Sequence, residues 1–88
     1  MTAETRALFA KAADLLERDG WCQGTLMDAD GKRCGAGALI GSTNGNDYWD
    51  AVNEIRRAVG THRVSTWNDA PERTADEVIA LFRKLAAE

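Results

Sequence analysis

No stretch of the chain approaches the roughly 18 consecutive apolar residues that a membrane span requires, which excludes a transmembrane helix. The N-terminus also lacks the charged start, apolar stretch and small-residue cleavage site of a secretory leader. A soluble, cytoplasmic protein is therefore the expectation. Neither charge sign is in large excess: eleven Lys and Arg against fourteen Asp and Glu leave a net charge of −3. Residues 1–45 carry −1 of it and residues 46–88 carry −2. Sequence-independent nucleic-acid binding rests on a clear positive surplus, and none is present. The dense negative charge of a DNA mimic is missing too.

Thiols and imidazoles are scarce. Cys22 and Cys34 stand twelve apart without the C-x-x-C pairing from which zinc sites usually draw ligands, and His62 is the only histidine. No metal ligand and no cofactor is assigned. A disulfide needs Cα atoms within about 7 Å, and a hairpin between the two cysteines does not set them opposite each other. The reading favoured for both is a small buried thiol, reduced in the cytosol. The enzymatic alternative makes a cysteine the nucleophile, His62 its base, and Asn68 or Asp69 the orienter. Against it, suitable residue types without geometry are weak grounds. A domain this small also has little room for a pocket of roughly 300–1,000 Å³ beside its core. No catalytic residue is assigned. The phosphate-cradling patterns G-x-x-x-x-G-K-[ST] and G-x-G-x-x-G are absent, so the glycines of GWCQG and GAGALIG are read as close-packing residues.

What the chain does have is helical periodicity. In residues 2–19, Leu8, Phe9, Ala12, Leu15 and Leu16 recur on one face, and Asp14 and Arg18 are spaced for an intrahelical pair. Gly20 marks a left-handed stop, with Trp21 packing back on the last turn. Residues 47–59 form a second helix with a stripe of Tyr48, Val52, Ile55 and Val59, widened by Trp49 and Ala51 and ended by Gly60. Asp47 and Asp50 at its start and Arg56 and Arg57 at its end suit the helix dipole. Thr74 and Glu77 form a capping box opening a last helix to about Ala87, with Val78, Leu81, Phe82 and Leu85 inward.

Between the first two helices, Asp30-Gly31 is the favoured dipeptide of a two-residue hairpin turn, which sets Met27 opposite Cys34 and Asp28 opposite Arg33. The segment GAGALIG, residues 35–41, reads as a short buried helical turn, and residues 42–46 as a loop. Residues 61–73 form a connector too long for a simple turn. The fold class expected is mainly α, a small α+β body. One compact domain, residues 1–88, packs three amphipathic helices with one short β-hairpin and the buried turn.

Two places stand out as interaction candidates. Trp21, Trp49 and Trp67 with Tyr48 are more large aromatics than so small a core requires, and an exposed Tyr48 or Trp49 would be an interface anchor. Trp67-Asn68-Asp69 before Ala70-Pro71 reads as a structural clamp: Trp67 fills the core, its indole N–H finding one acceptor, while Asn68 and Asp69 satisfy backbone donors. A binding loop is the functional alternative there. Arg56, Arg57, His62 and Arg63 near Trp67 could hold phosphate and stack a base, a reading the global charge opposes.

Three blocks together resemble a known family: Gly20-Trp21-Cys22-Gln23-Gly24 after the first helix, Cys34 to Leu39 as C-x-x-G-A-L, and Trp67 to Val78 as WND-A-P-x-R-T-x-x-E-V. The chain is similar over nearly its whole length to the uncharacterised bacterial and actinophage domain-of-unknown-function family numbered 6197. The resemblance implies an actinobacterial or bacteriophage setting and no particular activity, cofactor or catalytic residue. The leading functional reading is a non-enzymatic interaction or accessory protein. It would be phage-encoded, acting on a host protein partner or associating with itself. The alternatives are a cysteine-dependent enzyme or redox protein and, third, a small regulatory nucleic-acid binder.

Overall fold

A computed structural model describes all 88 residues. Five helices follow one another: α1 (Ala3–Asp19), α2 (Gly35–Ser42), α3 (Tyr48–Val59), α4 (Val64–Asn68) and α5 (Ala75–Ala86). None is long and apolar enough to cross a membrane.

The apolar stripes do what their spacing dictates. Leu8, Phe9, Ala12 and Leu16 of α1 are buried, and so are Val78, Phe82 and Leu85 of α5. The two helices pack together, with Phe9 and Phe82 meeting at 5.5 Å between ring centroids and tilted 56°. Ala36, Ala38 and Leu39 of α2, Ala51, Val52 and Ile55 of α3 and Val64 of α4 complete one continuous buried cluster. Arg83 of α5 straps α1 from outside, donating to Asp14 at 2.7 Å and Glu17 at 2.9 Å. Asp14 is thus taken across the helix pair instead of by Arg18, which turns to Asp19.

The helix ends are chemically fixed. Thr2 accepts from Thr5 N–H at 3.1 Å, and Thr74 accepts from Glu77 N–H at 3.2 Å. Only that half of the expected capping box forms, the Glu77 carboxylate accepting from the Thr74 hydroxyl and from Arg73 instead of from Thr74 N–H. Gly20 ends α1 with φ 96° and ψ 165°, extended in ψ, so the chain leaves as a strand-like segment instead of a left-handed helical cap. Asp47 precedes α3 without capping it; its buried carboxylate is bonded by the Thr43 hydroxyl.

The expected β-hairpin does not form. Residues 21–34 contain no strand, only isolated bridges of Trp21 with Arg33 and of Met27 with Arg33. The Asp30-Gly31 dipeptide does turn the chain, but one residue out of the expected register. The Asp28 carboxylate accepts the N–H groups of Asp30 and Lys32 at 3.0 and 2.9 Å, and Asp28 C=O accepts Gly31 N–H at 3.1 Å. That makes a three-residue loop, with Gly31 at φ 83° where only glycine sits without strain. Met27 therefore faces Arg33 and not Cys34, and Asp28 pairs with Lys32 and not Arg33.

The buried turn at residues 35–41 is a full helix, α2. The sulfur of Cys34 caps it, accepting Gly37 N–H at 3.3 Å. The connector at 61–73 contains α4, which has too few residues to show a period in sequence.

Candidate functional site

The three sequence blocks noted above converge on one side chain, Asn68, at the C-terminal end of α4 and with no solvent exposure. Its Oδ1 accepts the Trp21 indole N–H at 2.7 Å and Gly35 N–H at 2.9 Å. Its Nδ2 donates to Cys22 C=O at 3.2 Å and to Asp69 Oδ1 at 2.9 Å. All the hydrogen-bonding capacity usual for a carboxamide is used.

The placement has a structural logic. Arg33 N–H bonds Gly20 C=O and Cys22 N–H bonds Arg33 C=O, both at 3.1 Å, the beginning of a parallel ladder. The next rung of that ladder would run from Gly35 N–H to Cys22 C=O. Asn68 stands in it: its oxygen takes the donor and its nitrogen serves the acceptor. The side-chain amide replaces a peptide–peptide bond, joining α4 to both segments.

The surroundings reinforce the node. Gln23 Nε2 donates to the carbonyls of Asn68 and Ala70 at 3.1 and 2.9 Å, and Asp69 Oδ1 accepts Gly24 N–H at 3.1 Å. Trp67 is half-buried beneath the guanidinium of Arg73, 4.3 Å from its ring centroid. Arg73 also donates to Trp67 C=O at 2.9 Å and pairs with Glu77 at 2.8 Å. The indole that reaches an acceptor in this network is Trp21, whereas the sequence directs attention to Trp67. Gln23 and Arg73 gave no sequence signal of their own, although the four-residue step from Arg73 to Glu77 suits an ion pair. Beside the node lies a cleft of about 220 Å³ lined by Gly24, Thr25, Leu26, Cys34, Ser65 and Asp69. It falls short of the roughly 300–1,000 Å³ common for ligand pockets.

This geometry settles where the other candidate residues lie. Cys34 is 3 % exposed, and no hydrogen bond connects His62 with either sulfur. His62 is exposed beyond α3, and its carbonyl accepts from Arg56 Nε at 2.9 Å. Arg57 is paired with Glu54 at 3.2 Å. No three His, Cys, Asp or Glu side chains converge as a metal cluster would. Tyr48 is half-buried and Trp49 points outward, 66 % exposed, so the stripe of α3 ends at Tyr48 instead of widening to Trp49.

The half-buried Cys22 sits 3.3 Å from Lys32 C=O and 3.7 Å from Thr25 C=O, both acceptors for its S–H. Burial, followed by the Asp28 carboxylate, pushes this thiol above the ordinary cysteine range. The neutral thiol is thus favoured by the fold. That contribution is full below the unfolded thiol's pKa and is lost as pH climbs through the raised folded value. Alkylation of Cys22 is expected to be slow at pH 6 and to accelerate only above the range of an unfolded control peptide. Rapid labelling near pH 6 would contradict this picture.

The family model described as "Family of unknown function (DUF6197)" matches residues 1–88. The chain belongs to DUF6197. No curated protein and no solved structure matches it. In this DUF6197 member, the blocks that carry the family resemblance are those that Asn68 ties together, since Trp21, Cys22, Gly35, Asn68 and Asp69 all lie within them.

Proposed function

We propose that this DUF6197 chain is a non-enzymatic interaction protein that docks a protein partner through Trp49. One observation carries the reading: Trp49 presents 66 % of its surface to solvent from the first turn of a well-anchored helix. Tyr48, half in the core, meets it edge-on at 5.1 Å and 77° and limits its swing. A large, oriented indole in water has apolar area to bury and little rotamer entropy to lose, properties that make tryptophan common among interface hot spots. Asp50, the next residue, lines a polar groove of about 440 Å³ with Asn53, Glu54 and Arg57. A partner offering an apolar pocket for the indole and a basic side chain for Asp50 fits this face.

Trp49→Ser tests it. Folding stability is expected to change by less than about 0.5 kcal/mol, as for an ordinary surface position. Affinity for a captured partner, or for a second copy in sedimentation, is expected to fall roughly thirtyfold, the equivalent of about 2 kcal/mol for a hot spot. Binding that survives the substitution intact would refute the assignment. So would a wild-type protein that stays monomeric and retains no partner.

A further inference from the structure

The expected hairpin separates the two cysteines; the ladder that forms brings them together. Trp21 and Arg33 are joined in a parallel bridge. In a parallel pair, the residues following a bridged pair stand opposite one another with side chains on the same face. Those residues are Cys22 and Cys34. Neighbouring strands lie about 4.8 Å apart, and disulfides span Cα separations of roughly 4.4–6.8 Å. The Asn68 amide enters the ladder only at the next rung, between Cys22 C=O and Gly35 N–H, so this pair sits where the two segments begin to part. Both sulfurs are free, and both make only weak polar contacts: Cys22 with two carbonyls, Cys34 with Gly37 N–H.

We propose that Cys22 and Cys34 are a redox pair that closes into a reversible intrachain disulfide when the protein meets a hydroperoxide or a low-molecular-weight disulfide. Cys22 is the more accessible thiol and reacts first, through the small thiolate fraction that burial and Asp28 leave it, so closure is slow near neutral pH and quickens as pH rises. With hydrogen peroxide, the deprotonated Cys22 sulfur attacks one oxygen, the O–O bond breaks, and a sulfenic acid forms as one water leaves. The Cys34 sulfur then attacks the Cys22 sulfur, the S–O bond breaks, and its proton departs with the hydroxide as a second water. Two thiols lose two electrons, and the peroxide gains them. A disulfide oxidant achieves the same balance in two exchange steps, releasing two thiols.

The bond would close the ring of residues 22–34, which includes the exposed Leu26 and Met27. This proposal is independent of the role of Trp49. It is tested on the intact chain treated with hydrogen peroxide or glutathione disulfide, followed by alkylation and mass analysis without reduction. The expected product is a monomer lighter by two hydrogens, with the tryptic peptides 19–32 and 34–56 linked. Dithiothreitol restores the thiols, and the melting temperature of the oxidised form is higher by on the order of 10 °C. Cys34→Ser is expected to take up glutathione at Cys22 as a mixed disulfide instead, whereas Cys22→Ser, whose remaining thiol is buried, is expected to stay unmodified. Serine at position 34 remains a competent N-cap for α2. The wild-type product alone decides the matter if a variant fails to fold. A wild type that ends as a glutathione adduct, a sulfinic acid or a disulfide-linked dimer would overturn the proposal.

Discussion

Asn68→Ala is expected to leave the protein mostly unfolded at room temperature. The substitution removes both partners of Oδ1 and both partners of Nδ2 at a site without solvent access. Gly35 N–H, the Trp21 indole N–H and Cys22 C=O then remain inside with nothing to bond. Each of the three stranded groups costs about 1–3 kcal/mol, so the total is roughly 6 kcal/mol. A chain of this length is stable by only on the order of 5 kcal/mol. Asn68→Asp would fare no better: it keeps the acceptor oxygen but loses both donors and places a charge in the interior. Urea melts followed by near-ultraviolet circular dichroism report the loss directly. An unfolding free energy for Asn68→Ala within about 1 kcal/mol of wild type would show that Asn68 is not the tie described.

The second large effect is expected at Gly37. A Cβ there would lie 2.0 Å from the Leu26 carbonyl oxygen and 2.9 Å from its carbon, both backbone atoms. Leu26 C=O cannot simply retreat, because it also accepts Cys34 N–H at 3.2 Å. Alanine normally improves a helix interior over glycine by about 1 kcal/mol. Here the clash wins, and Gly37→Ala should destabilise by more than about 2 kcal/mol, as overpacking against fixed neighbours does. Gly41, one turn later, provides the control. The atoms nearest a Cβ there belong to the Arg33 guanidinium, at 2.8 Å, and can swing aside. Gly41→Ala should lose little beyond the 3.2 Å bond from Arg33 to Gly37 C=O. Equal stabilities for the two alanine variants would refute the close approach of Leu26 to α2.

These effects also mark where the sequence was readable. The stripes of α1, α3 and α5 and the Thr74 cap of α5 depend on residues within one or two turns of each other, so spacing suffices to reveal them. The turn at Asp30-Gly31 was visible for the same reason. Its register was not, because the Asp28 carboxylate chose between two loops by bonding Asp30 and Lys32. Trp49 lies at the edge of its helix's apolar arc, and only the arrangement of neighbouring helices decides that it faces water. Asn68 reads as a turn former satisfying nearby backbone. Its partners at positions 21, 22 and 35 are more than thirty residues away, a distance across which local chemistry carries no signal.

The insertion of a side-chain amide into a backbone ladder bears on how the chain acquires its shape. An ordinary rung closes as soon as its two segments meet, but this one waits for a third. During synthesis, residues 20–35 leave the ribosome well before position 68, so their ordering is deferred until the region of α4 has emerged. Fragments ending before Asn68 should accordingly keep α1 only as a fluctuating helix and leave the stretch after it unsettled, making assembly an all-or-none event governed by the later half of the chain.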